Sequence, residues 1–289
     1  MRVLCDDGVG LHVEFDGDPD APVAIVFVNG INTGLVYWSR QRNTLGDLGT
    51  TVLFDHRGHG RSDEPESGHA TVARLARDIA TVLESAVPGR PVVVVAHSMG
   101  GMAVSALAEC RPDLFGTRII GVALLDTVPG RWADIALRLP SVVTRRVVGL
   151  LWRVVPPLRR LLTDTSTRRH PVPGARHPRT SNERLSRLAG VRRARRLITS
   201  ARTLTLLALI ADAAVCDHSP GLAALGAVPV LVVAGDDDRF IPLRHKTRAA
   251  DRIPGARLVI VPGAGHLSSI KKPDKVDRHL RAFITGLSP

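Results

Sequence analysis

A serine stands in the run AHSMGG, residues 96–101, directly after the apolar stretch Val92 to Ala96 and before a stretch with helical apolar spacing. A strand that turns sharply into a helix carries its junction residue on an exposed tip, where a hydroxyl can reach a carbonyl carbon. The crowding there demands small residues two positions before and two after the tip, and Ala96 and Gly100 meet that demand. A serine hydroxyl attacks only when a base takes its proton and a third group orients the base. His266, in the glycine-flanked loop GAGH (263–266), follows a strand-like run and is the candidate base. Candidate acids are the three aspartates of GDDDRFIP (235–242), Asp236, Asp237 and Asp238, and Asp126 at the end of the run Ile119 to Leu125. Together these types suit acyl transfer, in which an imidazole shuttles the proton and a carboxylate stabilises the imidazolium.

These residues lie far apart in the chain, so a fold must bring them together. Up to about residue 126 short apolar runs alternate with longer amphipathic stretches. Leu11 to Phe15, Val23 to Val28, Thr51 to Asp55, Val92 to Ala96 and Ile119 to Leu125 read as strands. The later ones are almost continuous in Val, Ile and Leu, as parallel strands buried on both faces require. Thr71 to Ala86 and Met99 to Cys110 read as helices closed by Pro88 and Pro112. The alternation returns with strand Val230 to Ala234, helix Leu243 to Ile253, strand Arg257 to Val261 and helix Asp274 to Ile284. Ser98, His266 and the aspartates all fall at or just after the ends of strands. The pattern predicts an α/β fold with a mostly parallel central sheet flanked by helices. Its core comprises residues 1–129 and 221–289, and a helical, Arg-rich cap is inserted at 130–220.

With these elements in place the chain resembles the α/β-hydrolase fold superfamily, in particular its serine esterase-like and lipase-like members with a cap. Four ordered segments carry the resemblance: FVNGIN (27–32) for the oxyanion loop, DHRGHGRS (55–62) for a DxRGxGxS turn, AHSMGG for the nucleophile turn, and GDDDRFIP with GAGH for the acid and histidine. It covers nearly the whole chain outside 130–220. Two positions depart from the usual pattern: Ala96 replaces a glycine, as in a subset of lipases with AHSMG, and Asn29 replaces a histidine.

The resemblance implies Ser98 as nucleophile, His266 as general base and, through the pattern GxxDxxxP, Asp238 as the orienting acid. Asp126 is the second choice, because some members place their acid at that strand end. The oxyanion would be held by the backbone amides of Met99 and Ile31, and these survive the change at residue 29 because they do not depend on its side chain. Asn32 could reach the substrate or serve only the loop. His97 is expected to pack beneath the turn, and His56 and His59 to make structural hydrogen bonds. No metal or organic cofactor is implied. The expected reaction is hydrolysis of a carboxylic ester with an apolar acyl group through an acyl-serine intermediate. Thioesterase, carbon–carbon bond hydrolase and cofactor-free perhydrolase chemistry share the same triad. Epoxide hydrolases and haloalkane dehalogenases use an aspartate nucleophile, against which Ser98 argues. A different class, a small-ligand-binding homologue without turnover, is hinted at only by Ala96 and Asn29.

Composition limits the remaining readings. Cys5, Cys110 and Cys216 are scattered, with no CxxC pair, so neither a disulfide framework nor a zinc site is indicated. Asp6 and Asp7 interrupt the region where a signal peptide would be apolar. The run from Leu204 to Cys216 is too short for a membrane span. A cytoplasmic protein is expected, with the option of peripheral membrane contact. The net charge is +12, and residues 131–215 carry +14 of it, eighteen arginines and no lysine against four acids, which leaves −2 for the rest. Stretches such as Arg145 to Leu162 interleave arginine with Val, Leu and Trp152, a surface that suits anionic lipid or an acidic or long acyl substrate. The run Arg187 to Leu197 lacks the aromatic interleaving and module context of a nucleic-acid site, so no nucleic-acid partner is expected.

Overall fold

The computed structural model describes residues 1–66, 68–132, 135 and 201–287. The cap expected at 130–220 therefore falls mostly outside the described residues, and so does most of the Arg-rich sequence. The strands are β1 (Arg2–Leu4), β2 (Gly10–Asp16), β3 (Ala24–Val28), β4 (Thr50–Phe54), β5 (Val92–His97), β6 (Ile119–Leu125), β7 (Val230–Gly235) and β8 (Arg257–Val261). They form one eight-stranded sheet in the order β1-β2-β4-β3-β5-β6-β7-β8. From β4 to β8 all neighbours are parallel, whereas β2 pairs antiparallel with both β1 and β4. The expected mostly parallel sheet flanked by helices is thus present. The short edge strand β1 was not among the predicted strands.

The continuous apolar runs are explained by cover on both faces. Successive side chains of a strand point to opposite sides, so a run such as Val92, Val93, Val94 and Val95 needs a core above and below the sheet. Val92, Val94 and Ala96 join one buried cluster with the helices α2 (Val72–Ala86) and α3 (Met99–Cys110). Val93 and Val95 join a second cluster with Trp38, Leu45 and Leu280, which lie in or beside α1 (Ser39–Leu45) and α8 (Pro273–Thr285). At about 1.5–3 kcal/mol for each fully buried large apolar side chain, these two layers hold the central strands in place.

Between residues 201 and 272 the helices are α4 (Ala201–Val215), α5 (Gly221–Leu225), α6 (Leu243–Ala250) and α7 (Ser268–Lys271). Helix α4 docks on α2. Thr71 caps α2 by accepting the Arg74 amide at 3.1 Å, and Asp212 of α4 accepts the Val72 amide at 2.7 Å, which satisfies donors a helix start leaves open. Among the described residues no helix is long and apolar enough to cross a membrane.

Candidate active site

The carboxyl ends of β3, β5, β6 and β7, and the loop after β8, face one another. Parallel strands deliver their following loops to the same edge of a sheet, and ligands of open α/β sheets bind there. Ser98 occupies the turn between β5 and α3 with φ 51° and ψ −120°. A non-glycine residue in that region is strained, at a cost on the order of 1–3 kcal/mol, and persists only where its surroundings enforce it. Here the Ser98 amide donates to the Leu125 carbonyl at 3.0 Å, and the Thr127 hydroxyl donates to the Ser98 carbonyl at 2.6 Å. Only Asn32, Ser98, Asp126 and Arg131 among the described non-glycine residues have positive φ. Three of the four sit at this edge, so the strain is concentrated where the candidate chemistry lies.

The small residues around the tip have direct structural reasons. Ala96 is fully buried and pairs with Val28 and Leu124, and this packing accepts the methyl group that the usual glycine lacks. At Gly100 a Cβ would approach the Asn29 and Val28 carbonyl oxygens at 2.5 and 2.6 Å, so a glycine is required. At Gly30 a Cβ would lie 2.7 Å from His97 Nδ1 and 3.2 Å from Ser98 Cβ. The loop after β3 therefore runs against the serine at Gly30.

Ser98 Oγ lies 2.9 Å from His266 Nε2, and His266 Nδ1 lies 2.9 Å from Asp238 Oδ2. A carboxylate can only accept, so Nδ1 carries the proton and Nε2 offers its lone pair to the serine hydroxyl. The structure thus brings Ser98, His266 and Asp238 into one row from residues 168 and 28 positions apart. Asp238 is buried. Its Oδ1 accepts the amides of Phe240 and Ile241 at 2.8 and 2.9 Å, which fixes the plane of the carboxylate. Burial alone would raise its pKa. The hydrogen bond and charge of His266, then Lys246 and the Ile241 amide, outweigh burial and hold it down to about 2. Asp236 accepts the Gly263 amide at 2.7 Å, Asp237 donates its own amide to Ala264, and both are exposed turn residues.

Asp126, the second-choice acid, does not touch His266. It is fully buried and accepts the Gly235 amide at 2.8 Å, the Ser268 amide at 3.2 Å and the Lys246 ammonium at 2.7 Å. The same ammonium donates to Asp238 Oδ2 at 2.8 Å and to the Gly235 carbonyl at 3.1 Å. Lys246 was missed by the sequence reading. It lies in the polar stretch LRHKTRAA, where its spacing from Leu243 and Ala250 puts it on the inward face but its charge reads as surface.

His97, His56 and His59 are held in hydrogen bonds around the site. His97 is buried beneath the turn, stacks on Tyr37 at 4.6 Å between ring centroids, and donates from Nε2 to the His266 carbonyl at 2.8 Å. Burial and the nearby His266 charge lower its pKa to about 4, so it stays neutral. His56 donates to the Asn29 carbonyl at 2.9 Å, and burial holds its pKa near about 3. His59 donates from Nδ1 to the Arg57 carbonyl and accepts the Asn32 amide at Nε2, both at 3.1 Å. The Asn29 side chain donates to the Phe54 carbonyl at 2.7 Å, and Thr33 donates to the Gly30 carbonyl at 2.9 Å. These bonds pin the loop carrying Ile31 without using the amide of Ile31 itself. Met99 begins α3, where helix geometry leaves amide hydrogens unpaired and the dipole favours negative charge. Asn32 is exposed beside a cleft of about 320 Å³ that also touches Thr33, His59 and Arg202. Among the described residues no cluster of three or more His, Cys, Asp or Glu is arranged to hold a metal ion.

A family model described as "alpha/beta hydrolase fold" matches residues 23–273. The chain is 27% identical over 280 residues, 96% of each chain, to the Caulobacter vibrioides protein named "Putative carbamate hydrolase RutD". A hydrolase from Pseudomonas aeruginosa PA01 has the same fold, with a TM-score of 0.70 at 24% identity over 98% of this chain and 97% of that one. A thermophilic esterase from Thermogutta terrifontis is similar at 26% identity, with a TM-score of 0.67 over 99% and 97% of the two chains.

Proposed function

The chain belongs to the alpha/beta hydrolase fold family of enzymes, and on that premise we propose that it hydrolyses a carboxylic ester through an acyl-serine intermediate formed on Ser98. The observation that carries the reading is the unbroken row Ser98 Oγ, His266 Nε2, His266 Nδ1 and Asp238 Oδ2, with 2.9 Å at each hydrogen bond. His266 takes the serine proton as Oγ attacks the ester carbonyl. The carbonyl oxygen becomes an oxyanion held by the amides of Met99 and Ile31, each worth on the order of 3 kcal/mol in the transition state. Collapse expels the alcohol, which leaves with the proton from His266. Water then enters, His266 takes one of its protons, and the resulting hydroxide attacks the acyl-serine. The acid departs and the proton returns to Oγ. Asp238 holds the imidazole in the competent tautomer and stabilises the imidazolium in both halves of the cycle.

Support for an apolar acyl group comes from the rim. Phe240 is 61% exposed with its ring 5.5 Å from that of His266, and Leu267 follows His266 with 37% exposure. Apolar side chains left open beside a reacting group are suited to a substrate chain that covers them.

A fluorophosphonate probe tests the reading. Native protein should be labelled and should hydrolyse p-nitrophenyl esters, and Ser98→Ala should do neither. A well-folded native protein that takes no label would defeat the proposal. A rate series over acyl length then separates small-ester from long-chain preference, and a parallel series on thioesters and carbamates separates the bond types.

A further inference from the structure

The mechanism above uses one buried aspartate, yet the site contains two and a lysine between them. Lys246, Asp126 and Asp238 have fully buried side chains. Each of the three ammonium hydrogens of Lys246 has an acceptor: Asp126 Oδ1, Asp238 Oδ2 and the Gly235 carbonyl. Asp238 Oδ2 is also the oxygen that receives His266 Nδ1–H, so the ammonium lies within two hydrogen bonds of the imidazole. Burying a lysine costs several kcal/mol unless it is paired and fully hydrogen-bonded, and this one is both.

We propose that Lys246 is a positioning residue of this site, holding Asp238 and Asp126 together beneath His266 and keeping the resting imidazole neutral. The inference rests on the esterase reading of Ser98, His266 and Asp238. Its basis is the charge of a closed cluster. With Lys246 the two carboxylates and the ammonium sum to −1, and the cluster becomes neutral when His266 takes the serine proton. Without Lys246 the same pocket would hold −2, and the added negative charge would favour the imidazolium before substrate arrives. A protonated imidazole has no lone pair with which to accept the serine proton.

Other groups do not supply this balance. His97 faces the imidazole from β5, Tyr37 stacks behind His97 from the turn before α1, and both are neutral, since burial lowers the first to about 4 and raises the Tyr37 hydroxyl above its ordinary range. His245 is the neighbouring titratable group on α6, and burial, with Arg244 and Arg248 nearby, pushes its pKa down. Asp236, Asp237, Arg239 and Lys271 on these loops are exposed to solvent that screens them, and Lys272, half-buried, lies beside Gly263 rather than in the closed cluster.

Three variants test the charge argument: Lys246→Met, Asp126→Asn and the two combined. The readouts are the acidic limb of kcat/KM against pH on p-nitrophenyl butyrate and the titration of the His266 ring followed by NMR. Losing the cation should move the limb up by about one pH unit or more, and losing the Asp126 anion should move it down by a similar amount. The double variant should titrate at the wild-type position, because its cluster again carries −1. A lysine that merely fills space would lower kcat and leave all three limbs in place. Single variants that titrate like wild type, or that both shift in one direction, overturn the proposal. Should Lys246→Met not fold, Asp126→Asn decides alone, and a limb at or above the wild-type position refutes it. Native protein that neither turns over esters nor takes up fluorophosphonate would refute the esterase reading instead, while the ring titration would still decide the role of Lys246.

Discussion

The substitution Gly100→Ala isolates the oxyanion loop from the rest of the machinery. An added Cβ would lie 2.5 Å from the Asn29 carbonyl oxygen and 2.6 Å from that of Val28. Carbon and carbonyl oxygen settle at about 3.3 Å, so one side must retreat by roughly 0.7 Å. Helix α3 cannot yield, because its first residues lie packed against β5 and Thr127. The segment 28–30 yields instead, and it carries the Ile31 amide away from Ser98. One oxyanion donor contributes about 3 kcal/mol, and a misplacement of about 1 Å costs on the order of 10²-fold in rate, so kcat should fall about 10²-fold. KM should hold, since the lost interaction exists only in the transition state. The assay is steady-state hydrolysis of p-nitrophenyl butyrate beside thermal denaturation. Overpacking should also lower stability by about 1–3 kcal/mol. Gly121→Ala is the matched control: its methyl would meet Leu287 at 2.5 Å, at the opposite end of β6 from Asp126, and should lower stability without lowering kcat. A Gly100→Ala enzyme with kcat within a few-fold of wild type, or with the whole loss in KM, would refute the assignment of Ile31.

Three further outcomes follow from the buried charges. Asp238→Asn presents an amide donor to His266, reverses the ring tautomer and should lower kcat by about 10⁴-fold with the fold intact, read by burst and steady-state kinetics. Because the Asp238 carboxyl is lowered from 3.8 to about 2, its stabilisation is fully present above pH 3.8 and is lost as pH falls through about 2. Urea titrations from pH 4 to 2 should therefore show wild type losing about 2 kcal/mol relative to Asp238→Asn. Arg57 is fully buried between Asp7 and Asp78, with contacts of 2.7 Å to each. Arg57→Met should strand the buried Asp78 carboxylate, while Asp7 keeps Arg74 at 2.8 Å, and cost about 3–5 kcal/mol in urea denaturation, with kcat per folded molecule unchanged.

What the sequence reveals depends on how local its cause is. The strands β3, β5, β6 and β7 are legible because burial on both faces forces apolar runs that few other environments select. The turn at Ser98 is legible because its crowding restricts two neighbours, and the Gly100 contacts show the restriction at work. β1 and the short helices α1, α5 and α7 span too few residues to express a period, so neither face of them registers in the pattern.

The acids show the limit most clearly. Spacing within GDDDRFIP selects Asp238, and strand-end position makes Asp126 a rival, yet neither cue shows that the two are joined. Their link is Lys246, eight residues from one and 120 from the other, in a helix whose composition reads as surface. Apolar periodicity reports the solvent a side chain avoids. It is blind to a charge buried because its partners arrive from distant strands. A motif therefore names the atoms that react, whereas the proton affinity of those atoms is set by residues that look ordinary one at a time and become a site only when the sheet gathers them. For this chain the pH range of any activity should be tuned more readily at Lys246 and Asp126 than at the residues of the motif, where each substitution removes the chemistry along with its control.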